Sequence, residues 1–216
     1  MRLFLIGATG STGLALIEQA RERGHEVTAF VRSPQKLGAP RDGVDVWRGN
    51  PRSAAELRAA LPEHDAVVST LGPPGPGPTT ILRDAARSTV AAMQAVGPRR
   101  LLVVSAAVLF EDGGILAAIL RRTLLKNVAE DSVEMERTVV ASGLDWTIAR
   151  PPRLTNGPLT ARYRVESGRL PSRSGLASIR RADVAHFLLG ELERGAHLRQ
   201  IVGLAGRGTN SPNPTA

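Results

Sequence analysis

The sequence predicts an α/β domain: a single doubly wound parallel sheet with helices on both faces and a small C-terminal substrate-side portion. Three observations carry that expectation. A short apolar run, Leu3 to Ile6, leads directly into Gly7, Gly10 and Gly13 and then into an amphipathic pattern. Apolar runs of strand length then alternate with stretches of helical period along most of the chain. Parallel pairing follows, because a crossover between parallel strands needs a helix's length and is right-handed. With 216 residues the chain can bury a substantial core, and nothing marks a second domain. The domain is placed at residues 1–205, with a polar frayed tail at 206–216.

The first strand, glycine turn and first helix form one unit. One glycine turns the chain, one lets a ligand's phosphates reach backbone N–H groups, and one lets helix and strand pack closely. The free N–H groups and positive dipole end of the helix then hold an anion. No Gly-Lys-Ser/Thr follows, so a nucleoside-triphosphate loop is excluded. The apolar stretch is too short for a signal peptide, and Glu18 soon follows. Leu14, Ile17 and Ala20 are assigned to the helix's inner face, and Gly24 to its stop.

Glu26–Val31 is the second strand, ending in Arg32-Ser33 with Lys36 close behind. An NAD-binding site places a carboxylate here, to accept from the ribose hydroxyls. A guanidinium pairs instead with a ribose phosphate, so the residues favour NADPH over NADH. Val44–Arg48 is a third strand, and Ser53-Ala-Ala-Glu56 reads as a capping box opening a helix that presents Leu57 and Leu61. Asp65–Leu71 is the fourth strand, ending at Gly72, and a Pro/Gly loop follows at the sheet's carboxyl edge. A helix is expected from about Thr80 to Val96, with Leu82, Ala86, Val90 and Met93 inward. Leu101–Ser105 is a continuous apolar strand, as expected when both faces are covered. Helical patterns over Ile115–Lys126 and Asn127–Ser142 precede a strand at Asp145–Ala149, and Pro151-Pro152 breaks regular structure. Strand-like pieces at Tyr163–Val165 and Ile201–Leu204 flank a helix at about Ala182–Arg194. This is a Rossmann-type arrangement, with the glycine turn, Gly72, Ser105 and Arg150–Arg153 converging at the carboxyl ends of strands one, four, five and six.

Composition narrows the function. There are no cysteines, which removes disulfides, thiol nucleophiles and cysteine metal sites. His25, His64, His186 and His197 show no metal-ligand spacing, so no metal is expected. The apolar segment Ile115–Leu125 is too short to span a bilayer and carries Arg121-Arg122; it reads as a helix closing one side of the pocket. No membrane association and a cytoplasmic location are expected. The net charge is +8 and aromatics are only 3%. Basic residues occur in strands, loops and helices alike, and stacking platforms are missing, so nucleic-acid binding is not expected. The positive field suits steering a polyanionic cofactor and an acidic substrate.

Gly-Ala-Thr-Gly-Ser-Thr-Gly at 7–13, Val31-Arg32-Ser33, Leu71-Gly72, Pro78-Thr79-Thr80 and the run from Ser142 to Pro152 resemble the atypical short-chain dehydrogenase/reductases. Within them the chain is most similar to the NADPH-dependent biliverdin-IXβ reductase/flavin reductase branch, with NmrA-like proteins as more distant relatives. Gly157–Ala161, Tyr163–Val165 and Asp183–Phe187 match that branch's C-terminal part. The resemblance implies NADP(H) contacts from Thr9, Gly10, Ser11, Thr12, Arg32, Lys36, Asn50, Pro51, Leu71, Gly72, Ser105 and Pro151–Leu154. Arg32 would bind the 2′-phosphate, and Asn50 stands where relatives often carry Asp.

Dehydrogenases and epimerases of the wider family use a Tyr with a Lys four residues on, a spacing of one helical turn that lowers the phenol's pKa. Counting back from Ser142, those positions are Val128 and Ser132. The only tyrosine is Tyr163, and the only lysines are Lys36 and Lys126. The expected acceptor is therefore one that needs mainly hydride, such as a flavin, quinone or bilin, with proximity and orientation as the enzyme's contribution. A non-catalytic NADPH sensor and a pathway-specific reductase are the alternatives, on a monomer or small homo-oligomer. Ser105 is a candidate catalytic residue bonding acceptor or nicotinamide amide, against a strand-end hydroxyl bonding its own backbone. Arg153, where the branch carries histidine, cannot relay a proton near neutrality. It is the second candidate catalytic residue, orienting a carboxylate or phosphate on the substrate, against a solvated charge on the rim. Tyr163 reads as a packed, half-buried side chain.

Overall fold

The computed structural model describes residues 1–38, 43–75, 77–110, 125–171 and 177–207. In chain order these form β1 (Arg2–Ile6), α1 (Ser11–Glu22), β2 (Glu26–Val31), β3 (Val44–Arg48), α2 (Ala54–Ala60), β4 (Ala66–Ser69), α3 (Ile81–Val96) and β5 (Arg100–Val104). There follow α4 (Lys126–Val140), β6 (Asp145–Arg150), β7 (Arg153–Thr155), β8 (Tyr163–Ser167), β9 (Ser178–Arg180), α5 (Arg181–Arg194) and β10 (Gln200–Gly206). Eight strands make one sheet in the order β3-β2-β1-β4-β5-β6-β10-β8. Neighbours from β3 to β10 are parallel, and β8 closes the edge antiparallel to β10. The order reverses at β1, with β2 on one side and β4 on the other, so the switch point lies at β1's carboxyl end.

The period of two along β1 divides its side chains between two cores. Leu3 and Leu5 pack with Leu16 and Ile17 of α1 and Val184 and Leu188 of α5. Phe4 and Ile6 pack with Leu57 of α2, Leu82 and Met93 of α3, and Met135 and Val139 of α4. Burial on both faces explains why the central strands read as unbroken apolar runs.

Local signals are resolved in detail. Gly24 takes φ +75° just past α1, a left-handed position that favours glycine. Ser53 Oγ accepts from Glu56 N at 3.3 Å, while the Glu56 carboxylate accepts from Asn50 N at 2.9 Å. The capping box is therefore half formed, its acid spent on the preceding turn. In α1 Leu16, not Leu14, is fully buried, since the helix faces both β1 and α5. Pro151-Pro152 interrupts the chain for only two residues. Arg153–Thr155 then pairs in parallel with Ser178–Arg180, a two-stranded sheet too short to leave a periodic signature. Gly206, expected in the tail, ends β10 opposite Tyr163. The helix expected over Ile115–Lys126 lies outside the described residues apart from Leu125 and Lys126, as does the tail beyond Arg207.

Among the described residues no helix is long and apolar enough to cross a membrane. No group of three or more His, Cys, Asp or Glu side chains among them is placed to hold a metal ion.

Candidate functional site

The glycine turn shows the three tasks separately. Gly7 has φ +86°, and a Cβ there would lie 2.7 Å from Leu71 N and from Thr70 C. Only glycine lets the turn abut the end of β4, where Thr70 N donates to Ile6 O at 2.9 Å. A Cβ on Gly13 would sit 2.4 Å from Gly7 O, so this glycine lets α1 pack onto the turn. Gly10 differs: its Cβ would meet only Gly7 O, at 3.4 Å. Protein packing does not demand a glycine there, which is what a ligand's approach to the backbone requires.

The start of α1 carries no side-chain cap and no acid in its first turn. The start of α3 is a useful contrast. Leu82 N and Arg83 N donate to the buried carboxylate of Asp131, at 3.0 and 3.1 Å, and Ile81 N donates to Thr79 Oγ1. One helix start is filled from within by an anion, whereas no side chain caps the start of α1 at Ser11, Thr12 and Gly13. Thr9 lies in the turn itself, half-buried, and Ser11 is exposed.

At the end of β2, Arg32 is exposed and has no carboxylate partner among the described residues. Ser33 follows, and Lys36 sits in a 3-10 turn, Pro34–Leu37, whose Lys36 N donates to Ser33 O at 3.0 Å. Gly49 N donates to Val31 O at 2.9 Å, which brings Asn50 and the buried Pro51 beside the same strand end. Asn50 Oδ1 accepts from Arg52 N at 3.1 Å, leaving its NH₂ as the side chain's free group. Leu71 and Gly72 follow β4 next to the glycine turn; a Cβ on Gly72 would meet nothing within 4 Å.

The ends of β5 and β6 are stitched together. Ser105 N donates to Ala149 O at 2.7 Å and Ala107 N to Pro151 O at 2.9 Å. Ser105 Oγ is buried and has no hydrogen-bond partner among the described residues. The strand-end reading, in which the hydroxyl bonds its own backbone, is therefore not what the structure holds. A buried hydroxyl without a partner is costly, and a water or a ligand group supplies the missing bond. Pro151 is buried and Pro152 half-buried; Arg153 is exposed, and Leu154 packs on the core.

Two sequence expectations need correction. Arg150 does not converge on the site. Its guanidinium holds Glu136 of α4 through two bonds, at 2.9 and 2.5 Å, and lies 4.7 Å over the Phe110 ring. Both partners are largely buried, so the pair orders the α4–β6 packing instead. The positive charge, in turn, is not evenly spread. Residues 151–181 contain seven arginines and one glutamate, a balance of +6 out of the chain's +8. A charge count taken segment by segment finds this; a whole-chain impression hides it. Sequence reasoning also missed Asp131 and Glu136, since a buried acid in a helix looks like any solvated one until its partners are placed.

Tyr163 is packed as expected. Its hydroxyl lies 2.7 Å from His186 Nδ1, and its ring meets Phe187 edge-on. Burial pushes the phenol up from its ordinary 10.0 to about 12, and burial together with Arg23 holds His186 below its ordinary 6.5. The stability from Tyr163 is thus full below pH 10 and lost as pH rises through 12. That from neutral His186 is present above 6.5 and lost on acidification. Absorbance titration at 295 nm should show no phenolate in the folded protein until pH is well above 10; ionisation near 10 would mean an unburied phenol.

The chain matches the NAD(P)H-binding family over residues 7–194. It belongs to that family. This NAD(P)H-binding protein is 31% identical over 167 residues to the uncharacterized sugar epimerase YhfK of Bacillus subtilis, covering 74% of this chain and 75% of that one. It shares its fold with the oxidoreductase ylbE of Lactococcus lactis, at TM-score 0.82 and 17% identity, covering 97% and 92% of the two chains. A Streptococcus pneumoniae protein assigned as an NADH-flavin reductase superposes at TM-score 0.76 with 24% identity, covering 96% and 100%. These relationships fit the atypical short-chain dehydrogenase/reductase resemblance. The uncapped start of α1, the open flank of Gly10 and the partnerless Ser105 hydroxyl together fit a nicotinamide dinucleotide. α1 and the turn would hold its pyrophosphate.

Proposed function

We propose that this NAD(P)H-binding protein is an NADPH-dependent reductase of flavins or similar conjugated acceptors, quinones and bilins among them. The observation that carries the reading is the state of its single phenol. Tyr163 is tied to His186 and its phenol is pushed up to about 12, the opposite of the lowering that a neighbouring ammonium gives a proton-exchanging tyrosine. No other tyrosine exists in the chain. Positions 128 and 132 on α4 hold Val and Ser, and Lys126 stands exposed at that helix's start, facing Glu130. Chemistry that needs a paired phenol and ammonium, alcohol oxidation or epimerisation, has no group to perform it. An acceptor that spreads the added charge over a conjugated system needs none.

When bound, NADPH supplies the hydride; the protein supplies position. The amides of Ser11, Thr12 and Gly13 take the pyrophosphate, and Arg32, Ser33 and Lys36 take the 2′-phosphate. Asn50 and Pro51 border the adenine side, and Leu71 and Gly72 the middle of the groove. Ser105 Oγ bonds the nicotinamide amide or the acceptor, and Pro151 to Leu154 line the far end, with Arg153 at its mouth. The proton comes from solvent or from the acceptor.

The test is turnover. Purified protein with NADPH and free flavin should consume NADPH well above the flavin-only background. Tight NADPH binding without consumption against flavins, quinones and bilins would contradict the reading and favour a sensor. Ser105→Ala should lower kcat/KM by roughly three- to tenfold, the worth of one hydrogen bond. Its melting temperature should not fall, because the hydroxyl bonds nothing in the fold. A large loss of stability would return Ser105 to a structural role.

A further inference from the structure

The segment that follows the site's far end is unusually charged, with seven arginines and one glutamate over residues 151–181, and the arginines of its small β7–β9 sheet face no carboxylate among the described residues. Several guanidinium groups elsewhere meet carboxylates, among them Arg23 with Glu193, Arg100 with Glu191 and Arg150 with Glu136. Around the small β7–β9 sheet they do not. Arg153 has no partner among the described residues. Arg180 Nη1 donates to Pro158 O at 3.0 Å, and Arg181 Nη1 to Asn156 Oδ1 at 2.8 Å. Both partners are neutral, so the positions of the side chains are fixed while their charges are not offset.

The register places two of these groups together. Leu154 pairs with Ile179, and both point into the core. Arg153 pairs with Ser178 and Thr155 with Arg180, so Arg153 and Arg180 share the opposite, outward face of the two-stranded sheet. Asp183, in the first turn of α5, is buried and already accepts from Thr160 N, Thr160 Oγ1 and Ala161 N at 2.8 to 2.9 Å. It forms no ion pair with Arg153 or Arg180. Like charges on one face of so small a sheet repel one another, and an oxyanion between them relieves that repulsion while accepting charge-assisted bonds.

We propose that the outward face of the β7–β9 sheet, through Arg153 and Arg180, binds an oxyanion (phosphate or carboxylate) carried by the hydride acceptor, and so selects anionic acceptors over neutral ones with the same reacting ring. The inference rests on the reductase reading and names the acceptor's charge. It also sets Arg153, a residue that cannot exchange protons, to work in recognition.

The experiment compares acceptors that differ only in the charged group: FMN against riboflavin for phosphate, and biliverdin against its dimethyl ester for carboxylate. Binding is read by fluorescence quenching or absorbance with the cofactor groove saturated by NADP⁺, so that Arg32 cannot capture the probe; turnover is read separately. At least one charged member should bind roughly tenfold more tightly than its neutral counterpart. Arg153→Gln should reduce that ratio to within about twofold, and raised salt should do the same. Arg164→Gln, on the antiparallel edge strand β8, should leave the ratio unchanged. Equal binding of charged and neutral partners, or no binding of either charged probe, overturns the oxyanion site. So does a preference that survives Arg153→Gln or falls equally with Arg164→Gln. Turnover with no charge preference removes only this inference. A charge preference in binding with no turnover removes only the reductase reading.

Discussion

Replacing Arg32 with aspartate is expected to weaken NADPH binding by roughly 100- to 1000-fold and to carry the NADPH/NADH preference to parity or beyond. The end of β2 is exposed, and the Arg32 guanidinium has no carboxylate partner among the described residues. Its loss removes charge-assisted bonds to a ribose phosphate worth about 1.5–3 kcal/mol, and the new carboxylate adds repulsion. The same carboxylate can accept from ribose hydroxyls, so NADH should be held or gained. Because Arg32 braces nothing in the fold, the variant should melt as the parent does. Fluorescence titration with both cofactors reads the ratio directly. An unchanged ratio would return Arg32 to an ordinary surface charge.

The second large effect separates the glycines. Gly10→Val should abolish dinucleotide binding, more than about 100-fold, and leave a folded protein. Its Cβ has only Gly7 O nearby, at 3.4 Å, and Gly10 has φ −78° and ψ 157°, an extended conformation that valine adopts readily. Gly13→Ala should do the reverse and strike stability first. Its Cβ would press to 2.4 Å from Gly7 O and 2.8 Å from Ala8 Cα, both backbone atoms that cannot swing away. Overpacking of that kind typically costs about 1–3 kcal/mol or more. Circular dichroism melting beside NADPH titration distinguishes the two. A folded Gly10→Val that still binds normally would place the phosphates elsewhere.

Much of the fold was legible because each central strand is buried on both sides and each helix has a marked start or stop. β2 and β3 were read to the residue, and the strand order puts the glycine turn, Gly72, Ser105 and Pro151 at successive carboxyl ends. What escaped had no local signature. The β7–β9 sheet is three residues a side, and its partners lie more than twenty residues apart. Glu136 reads as one more charge in a helix until Arg150, on the next strand, closes on it. Leu16 lies off the face that Leu14, Ile17 and Ala20 share, yet it is fully buried, because α1 is covered by both the sheet and α5. The candidate site followed the same rule. Backbone requirements at Gly7, Gly10 and Gly13 show in the sequence, whereas the partnerless Ser105 hydroxyl is a tertiary fact.

The account turns on a phosphorylated dinucleotide lying over the start of α1. A crystal structure with NADP⁺ tests it most directly. The pyrophosphate should rest on the amides of Ser11, Thr12 and Gly13, with the 2′-phosphate against Arg32 and the nicotinamide within hydrogen-bond reach of Ser105 Oγ. A cofactor bound elsewhere, or bound there with Arg32 turned away from the 2′-phosphate, would contradict it.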